Sequence, residues 1–307
     1  MSSWQARTAA RVIRAIVRRR SWGASATLAA RARRVFGAPR PYAWLTALGL
    51  SRETSLNGDM RGEWLTPRNA LSGVVLYVHG GGFVSGSAVT HRPIAAALAR
   101  LTRRRVFSAD YRLAPEAPLP AAHDDIAAIY ARLTNSDASG SGIALVGDSA
   151  GGNLVLSLAV RVRDAGLAAP ACVVAFSPWT DLAGRSPSVH TNEGRCAMFY
   201  PENVGDFAVA ALGDVPPDAP CVSPVYADLR ALPPVLLQVG STELLLDDAR
   251  RVEARIRGGD GRCTLTVYDD VPHGWQMLAP FVPEASASLR EAAAFICRSL
   301  ASPSITA

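Results

Sequence analysis

The stretch Gly147-Asp148-Ser149-Ala150-Gly151 sets one serine among small neighbours, where a strand-like apolar run (Ile143 to Val146) gives way to a helix-like one (Asn153 to Val160). A G-x-S-x-G turn of this kind holds its serine in a strained backbone conformation that pushes the hydroxyl outward, and the glycines let strand and helix pass closely. The chemistry open to such a residue is attack on an acyl carbon. A serine hydroxyl is a poor nucleophile at neutral pH, so a base must stand beside it. The chain has five histidines. His79 begins a glycine run, His91 and His123 sit at helix starts, and His190 lies in an irregular stretch. His273, in "YDDVPHGWQ", directly follows a strand-like run on a loop flanked by Pro and Gly, and is the base that position selects.

The imidazolium formed at such a base needs a carboxylate to orient and stabilise it, and in strand-to-helix serine sites the acid lies between Ser and His in the chain. The run "PPVLLQVG" delivers Glu243 on its exit loop, which makes Glu243 the first candidate. Asp247 is its rival. With Asp248, it falls about a turn into the following helix, where an acid near the N-terminus has an ordinary stabilising role. Asp269 and Asp270 read as surface charges. Acyl transfer also needs donors for a developing oxyanion. "HGGGF", His79 to Phe83, follows the strand-like "VVLYV" and offers unencumbered amides at Gly81 and Gly82, to which the Ala150 amide adds a third. A phosphate-cradling reading of that glycine run fails, because a P-loop needs lysine and this chain has none.

These residues must be held by a scaffold. Strand-like runs occupy Val74 to Val78, Arg105 to Tyr111, Ile143 to Gly147, Cys172 to Ser177, Pro234 to Gly240 and Cys263 to Tyr268. Helix-like segments fall near Ile94 to Arg100, Ala122 to Leu133, Ala150 to Arg163, Leu245 to Arg257 and Ala285 to Ser299. Continuous apolar strands alternating with helices predict an α/β fold, with a mostly parallel sheet covered on both faces. Active residues of such sheets gather at the carboxyl ends of the strands. Ser51 to Asn69 predicts a hairpin turning at Asn57-Gly58. Residues 1–45 carry helical periodicity with arginine on one side before "APRPYAW" interrupts, and Gly184 to Pro224 is an irregular, Pro- and Gly-rich insertion.

At 307 residues and 49% hydrophobic, the chain can bury a large core, which excludes a disordered protein. The net charge is +6, every basic residue is arginine, and much of the excess lies in the first forty or so positions. A solvated, Arg-studded helix face accounts for it; weak contact with an anionic membrane surface is the sharper reading. The five cysteines are scattered without a C-x-x-C pair, which argues against a disulfide framework or a zinc site and suits a reducing compartment. No apolar run reaches the roughly 20 residues that span a bilayer, and the segment after Arg20 is too short and too soon recharged to be a signal core. The expected location is cytoplasmic.

"HGGGF", "DYRLAPEAPLPAAHDD" (Asp110 to Asp125), "GDSAGGN", "SPWTDL" (Ser177 to Leu182) and "VPHGWQ", in that order from about Val74 onward, resemble the hormone-sensitive-lipase-like esterases, the bacterial family IV carboxylesterases of the α/β-hydrolase fold. The resemblance implies an eight-stranded, mostly parallel sheet in a catalytic domain of residues 46–307. It also implies a small helical cap built from residues 1–45 and an insertion at about 184–224. It places the nucleophile on Ser149, the base on His273 and the oxyanion donors on Gly81, Gly82 and Ala150. The family's acid lies in D-P-L-x-D; here the stretch is Glu243-Leu244-Leu245-Leu246-Asp247, with Glu for Asp and no Pro. Short- to medium-chain esters are the implied substrates, with no cofactor or metal. The other expected partners are the membrane surface and a second copy of the chain, with no nucleic acid. Phe83, Met198, Phe199 and Trp275, with Trp22, Trp44, Tyr200 and Phe207 in the cap segments, are candidates for lining an acyl pocket. Tyr111 to Glu116 reads as a brace for the glycine loop. A receptor on the same fold, or a hydrolase of lactones, amides or thioesters, are the competing functions; the presence of both Ser149 and His273 opposes the receptor.

Overall fold

A computed structural model describes residues 2–37, 42–58, 60–136 and 142–301; part of the interrupting "APRPYAW" stretch and residues 302–307 lie outside it. Every strand-like run is a strand, and two more precede them. β1 (Leu50–Asn57) and β2 (Met60–Pro67) form the expected antiparallel hairpin, with Asn57 opposite Met60 and Gly58 in the turn. β3 (Leu71–Val78), β4 (Arg104–Ala109), β5 (Ile143–Asp148), β6 (Cys172–Phe176), β7 (Val235–Gly240) and β8 (Cys263–Tyr268) complete an eight-stranded sheet. Its order is β1-β2-β4-β3-β5-β6-β7-β8; β2 runs antiparallel to β1 and β4, and the remaining pairs are parallel.

The central strands are mostly apolar because both their faces are covered, with Asp148 and Gln238 the buried polar exceptions in β5 and β7. Every residue of β5, β6 and β7 is buried. In β3, Val74, Leu76 and Val78 join the core beneath α4 (Ala121–Thr134), α5 (Ala150–Asp164) and α8 (Leu246–Gly258), where Ile126, Leu154 and Val252 pack. The alternate residues Val75 and Tyr77 face α3 (Arg92–Thr102) and α9 (Pro283–Ala301), meeting Ile94, Leu98, Leu289 and Ile296. This period-two split is what a pleated strand between two helical layers requires. A buried fork, Arg92 Nε and Nη2 on Glu63 at 2.8 and 3.0 Å, pins α3 to β2.

Three helices outside this layered pattern gather over the carboxyl ends of the strands: α1 (Trp4–Ile16), α2 (Ser25–Val35) and α7 (Pro201–Leu212); the one-turn α6 (Ser188–Thr191) leads into α7. α1 buries little beyond Ala6, so polar bonds hold it. At its start Ser3 Oγ accepts the Ala6 amide at 3.1 Å, and the same hydroxyl donates to Glu284 at 2.7 Å. Towards its end, Arg14 donates to the carbonyls of Gly194, Arg195 and Cys196 at 2.9–3.1 Å, and Arg18 to those of Glu193 and Phe199. Trp22 stacks on Phe36 at 5.5 Å and meets Phe207 of α7 edge-on at 5.6 Å, joining the two separated segments through aromatic packing. No helix among the described residues is long and apolar enough to cross a membrane.

Candidate active site

Ser149 stands between β5 and α5 with φ 54° and ψ −117°, a conformation costing on the order of 1–3 kcal/mol that the surrounding backbone must impose. Its amide donates to Phe176 O at 2.8 Å, tying the turn to β6. The glycines on either side are there for proximity. A Cβ on Gly147 would lie 2.2 Å from Gly151 O, and one on Gly151 would lie 2.0 Å from Val78 O. Strand, helix and the end of β3 therefore meet without side chains between them, and the hydroxyl is thrust towards the loop after β8.

That loop carries His273, whose Nε2 lies 3.0 Å from Ser149 Oγ. On the other side of the ring, Nδ1 is 2.5 Å from Glu243 Oε2. An ionised carboxylate only accepts, so Nδ1 bears the proton and Nε2 is left to accept from the serine hydroxyl. Glu243 is itself fixed: its Oε1 accepts from the Gly240 amide at 2.6 Å and from Ser177 Oγ at 2.7 Å, and the side chain is buried. Asp247 is committed elsewhere, to Arg250 at 3.1 Å, and Asp248 accepts the amides of Thr180 and Asp181 at 2.7 and 2.9 Å. Of the acids weighed from the sequence, the geometry brings Glu243 to the histidine. The extra methylene of Glu carries the carboxylate from the loop after β7 to both the Gly240 amide and the ring.

The loop after β3 runs beside the serine. Among the described residues, no protein acceptor takes up the amides of Gly81, Gly82 or Ala150. The loop is braced from behind, as the Tyr111 to Glu116 segment led us to expect. The Tyr111 hydroxyl donates to His79 O at 2.9 Å with its ring stacked on the imidazole at 4.3 Å, and the Ala114 amide donates to Phe83 O at 2.9 Å. Arg33 at the end of α2 closes the brace, donating to Val84 O and Ala114 O and forking onto Glu116. His79 is no second base: burial, with His91 adding to it, lowers its pKa to about 4, and its Nδ1 is engaged by Gly80 O.

Above these groups lies a cavity of about 760 Å³, within the size range of small-molecule sites. Its walls include Trp4, Val12, Val35 and Phe36 from the N-terminal helices, and Met198, Phe199, Val204 and Phe207 from the insertion. Phe199 meets the His273 ring edge-on at 5.6 Å. Among the described residues, Asp148 and Glu243 are the only carboxylates in the lining, and no arginine enters it. Two sequence candidates are not wall residues. Phe83 is fully buried against Trp179 and His123, and Trp275 is fully buried with Val271, Val282 and Ala285; both fill core beneath the site. Of the other aromatic candidates, Trp22 is buried behind the wall, Trp44 is exposed elsewhere and Tyr200 lies under the Arg18 guanidinium. Sequence reasoning missed Val35, Phe36 and the α1 residues, whose cue was only helical periodicity, and Ser177, whose cue was its place at the end of β6.

A sheet of this order, with a serine turn after β5 and a histidine loop after β8, defines a class, and the comparison bears it out: the chain belongs to the α/β-hydrolase fold family, whose sequence profile matches residues 75–277. Within that fold the chain is 35% identical over 239 residues to an acetyl-hydrolase of Streptomyces hygroscopicus, covering 78% of this chain and 80% of the relative. It is 34% identical over 237 residues to an esterase of Acinetobacter venetianus, covering 77% and 78%. Among solved structures, an esterase from the bacterial hormone-sensitive lipase family superposes with TM-score 0.85 at 35% identity, covering 98% of this chain and 99% of that one. An esterase/lipase from an uncultured bacterium gives TM-score 0.88 at 29% identity, covering 98% and 100%. The resemblance drawn from the motifs is thus borne out: this is an ester-hydrolysing enzyme of the hormone-sensitive-lipase-like group.

Proposed function

We propose that the protein is a serine carboxylesterase working through an acyl-enzyme, with Ser149 as nucleophile, His273 as general base and acid, and Glu243 as the orienting carboxylate. The observation that carries this is the unbroken line Ser149 Oγ to His273 Nε2 at 3.0 Å and His273 Nδ1 to Glu243 Oε2 at 2.5 Å. Ser149 Oγ attacks the ester carbonyl as its proton passes to Nε2. The amides of Gly81, Gly82 and Ala150 receive the oxyanion. Nε2 returns the proton to the departing alcohol oxygen, and then takes one from the water that releases the acid. Glu243 stays ionised and stabilises the imidazolium.

The largely apolar cavity, with carboxylates and no arginine in its lining among the described residues, supports short- to medium-chain esters of uncharged acyl groups. The proposed cap, residues 1–45 with about 184–224, is supported by both segments contributing walls to one cavity over the domain formed by residues 46–307. Turnover of p-nitrophenyl esters of graded acyl length by wild type and Ser149→Ala tests the reading, together with mass-spectrometric mapping of an organophosphonate adduct. Loss of turnover in the variant and an adduct on Ser149 are the expected results. Retained turnover, or an adduct elsewhere, removes the assignment.

Three further expectations stand as proposals. α1 exposes Trp4, Val12 and Ile16 beside Arg7 and Arg11, which supports weak contact with an anionic membrane surface. No co-sedimentation with anionic vesicles at low salt ends that idea. β8 is the last strand of the sheet and, among the described residues, leaves an unpaired edge, which supports a homodimer; analytical ultracentrifugation reads the state. Five free cysteines support a cytoplasmic location, which fractionation of the source cells tests.

A further inference from the structure

The carboxylate of Asp148, the residue before Ser149, is buried and lies outside the proposed triad. Its Oδ1 accepts from the Tyr77 hydroxyl at 2.5 Å and from the Gly80 amide at 3.0 Å, and its Oδ2 faces His91 Nε2 at 3.5 Å. These partners come from three separate pieces of the fold: Tyr77 from β3, Gly80 from the loop whose next two amides are the proposed oxyanion donors, and His91 from the N-cap of α3. Burial alone would raise the carboxyl's pKa, but His91 and Tyr77 outweigh it and hold the group below the usual carboxylate range, so the acceptor is ionised.

The fit on the loop side leaves no slack. A Cβ on Gly80 would stand 2.4 Å from Asp148 Oδ2 and 3.1 Å from Ser149 Cβ. An acceptor for the Gly80 amide need not come from the nucleophile's own neighbour, yet here it does. The spacing between Ser149 and the glycine amides is thereby set through one peptide unit and one short side chain, in addition to the β3–β5 pairing that puts Val78 opposite Gly147. Such spacing matters because a misplacement of about 1 Å at a reacting centre costs on the order of 10²-fold in rate.

We infer that Asp148 is a positioning residue for ester hydrolysis: its carboxylate, held by Tyr77 and His91, fixes the Gly80 amide and so the distance from Ser149 to the oxyanion donors of Gly81 and Gly82. This rests on the oxyanion role proposed above for those glycines. The test is steady-state hydrolysis of p-nitrophenyl acetate by Asp148→Ala, Asp148→Asn, Tyr77→Phe and Ser149→Ala. Asp148→Ala is expected to lower kcat about 10²-fold with KM within about threefold, because the lost interaction acts on the transition state. Asp148→Asn keeps an acceptor for the Gly80 amide and is expected to recover roughly tenfold of that loss. An Asp148→Ala kcat within about threefold of wild type, or a loss carried by KM with kcat intact, overturns the inference. If Asp148→Ala does not fold, Tyr77→Phe decides: a fall in kcat of about three- to tenfold at unchanged KM supports it, and no fall overturns it. Turnover surviving in Ser149→Ala removes the proposed mechanism itself, whereas an inactive Ser149→Ala beside a fully active Asp148→Ala removes only the positioning role.

Discussion

Replacing Glu243 by glutamine keeps the side chain's shape and removes one of its two acceptors. In the native site, Oε1 serves the Gly240 amide and Ser177 Oγ, and Oε2 serves His273 Nδ1. The Gly240 amide can only donate, so the glutamine oxygen turns to it and the NH₂ group faces Nδ1. Nδ1 must then accept, the ring proton moves to Nε2, and the imidazole can no longer take the serine proton. Restoring the productive tautomer means turning the amide over, which leaves a buried donor opposed at Gly240 and costs about 1–3 kcal/mol. Loss of the charge-assisted bond to the imidazolium adds about 1.5–3 kcal/mol. Together these predict a fall in kcat of roughly 10²–10⁴-fold at about 1.4 kcal/mol per decade, with KM little changed. Asp247→Asn is the control: its carboxylate bonds Arg250, so its kcat is expected within about twofold of wild type, as for ordinary surface changes. The assay is p-nitrophenyl acetate hydrolysis at saturation, with circular dichroism to show that each variant is folded. A Glu243→Gln enzyme within about tenfold of wild type, or an Asp247→Asn enzyme equally damaged, refutes the argument from amide orientation.

Phe207 lines the cavity against Gly82, so Phe207→Ala is expected to raise kcat/KM for octanoyl over acetyl esters by about tenfold, the worth of one or two methylenes of pocket; an unchanged ratio means the acyl chain lies elsewhere. Trp275→Ala empties a fully buried site and is expected to lower unfolding free energy by about 3–5 kcal/mol in denaturant titration, and a variant as stable as wild type contradicts its core placement. Burial, with the Asp181 carboxylate adding to it, pushes the Asp248 carboxyl up to about 7. The folded protein therefore holds a proton that the unfolded chain releases near pH ~4, so stability attributable to Asp248 falls as pH rises from about 4 to about 7 and is level above that. Asp248→Asn is expected to remove that slope and to melt above wild type at pH 8; a lower melting temperature than wild type at pH 8 contradicts the sign.

The scaffold was legible because strand burial on both faces leaves unbroken apolar runs, as at Cys172 to Phe176, and because G-x-S-x-G and the glycine run are local in sequence. His273 could be chosen from five histidines because it follows a strand on a loop flanked by Pro and Gly, whereas His79, also after a strand, begins the glycine run. The acid was harder: Glu243, Asp247 and Asp248 lie within two turns of chain, and only the direction of each side chain, set by Gly240 and Ser177 for Glu243 and by Arg250 for Asp247, separates them. Aromatic residues flanking the motifs were a poor guide to the cavity. Phe83 and Trp275 follow the oxyanion loop and the base, yet their rings point into the core, while Val35 and Phe36, more than a hundred positions from the serine, form walls. Asp148 was invisible as a functional group because a motif letter between glycine and serine says nothing of the three elements its carboxylate joins.

The bonds that hold α1 have a consequence for the order in which the molecule forms. Arg14 and Arg18 reach carbonyls 175 to 182 positions further along the chain, and Ser3 reaches Glu284, 281 positions away. Because α1 buries almost nothing of its own, it has little to fold against until those carbonyls are in place. α1 thus docks after the segments it bonds, and the chamber over Ser149 closes only once the sheet beneath it is built.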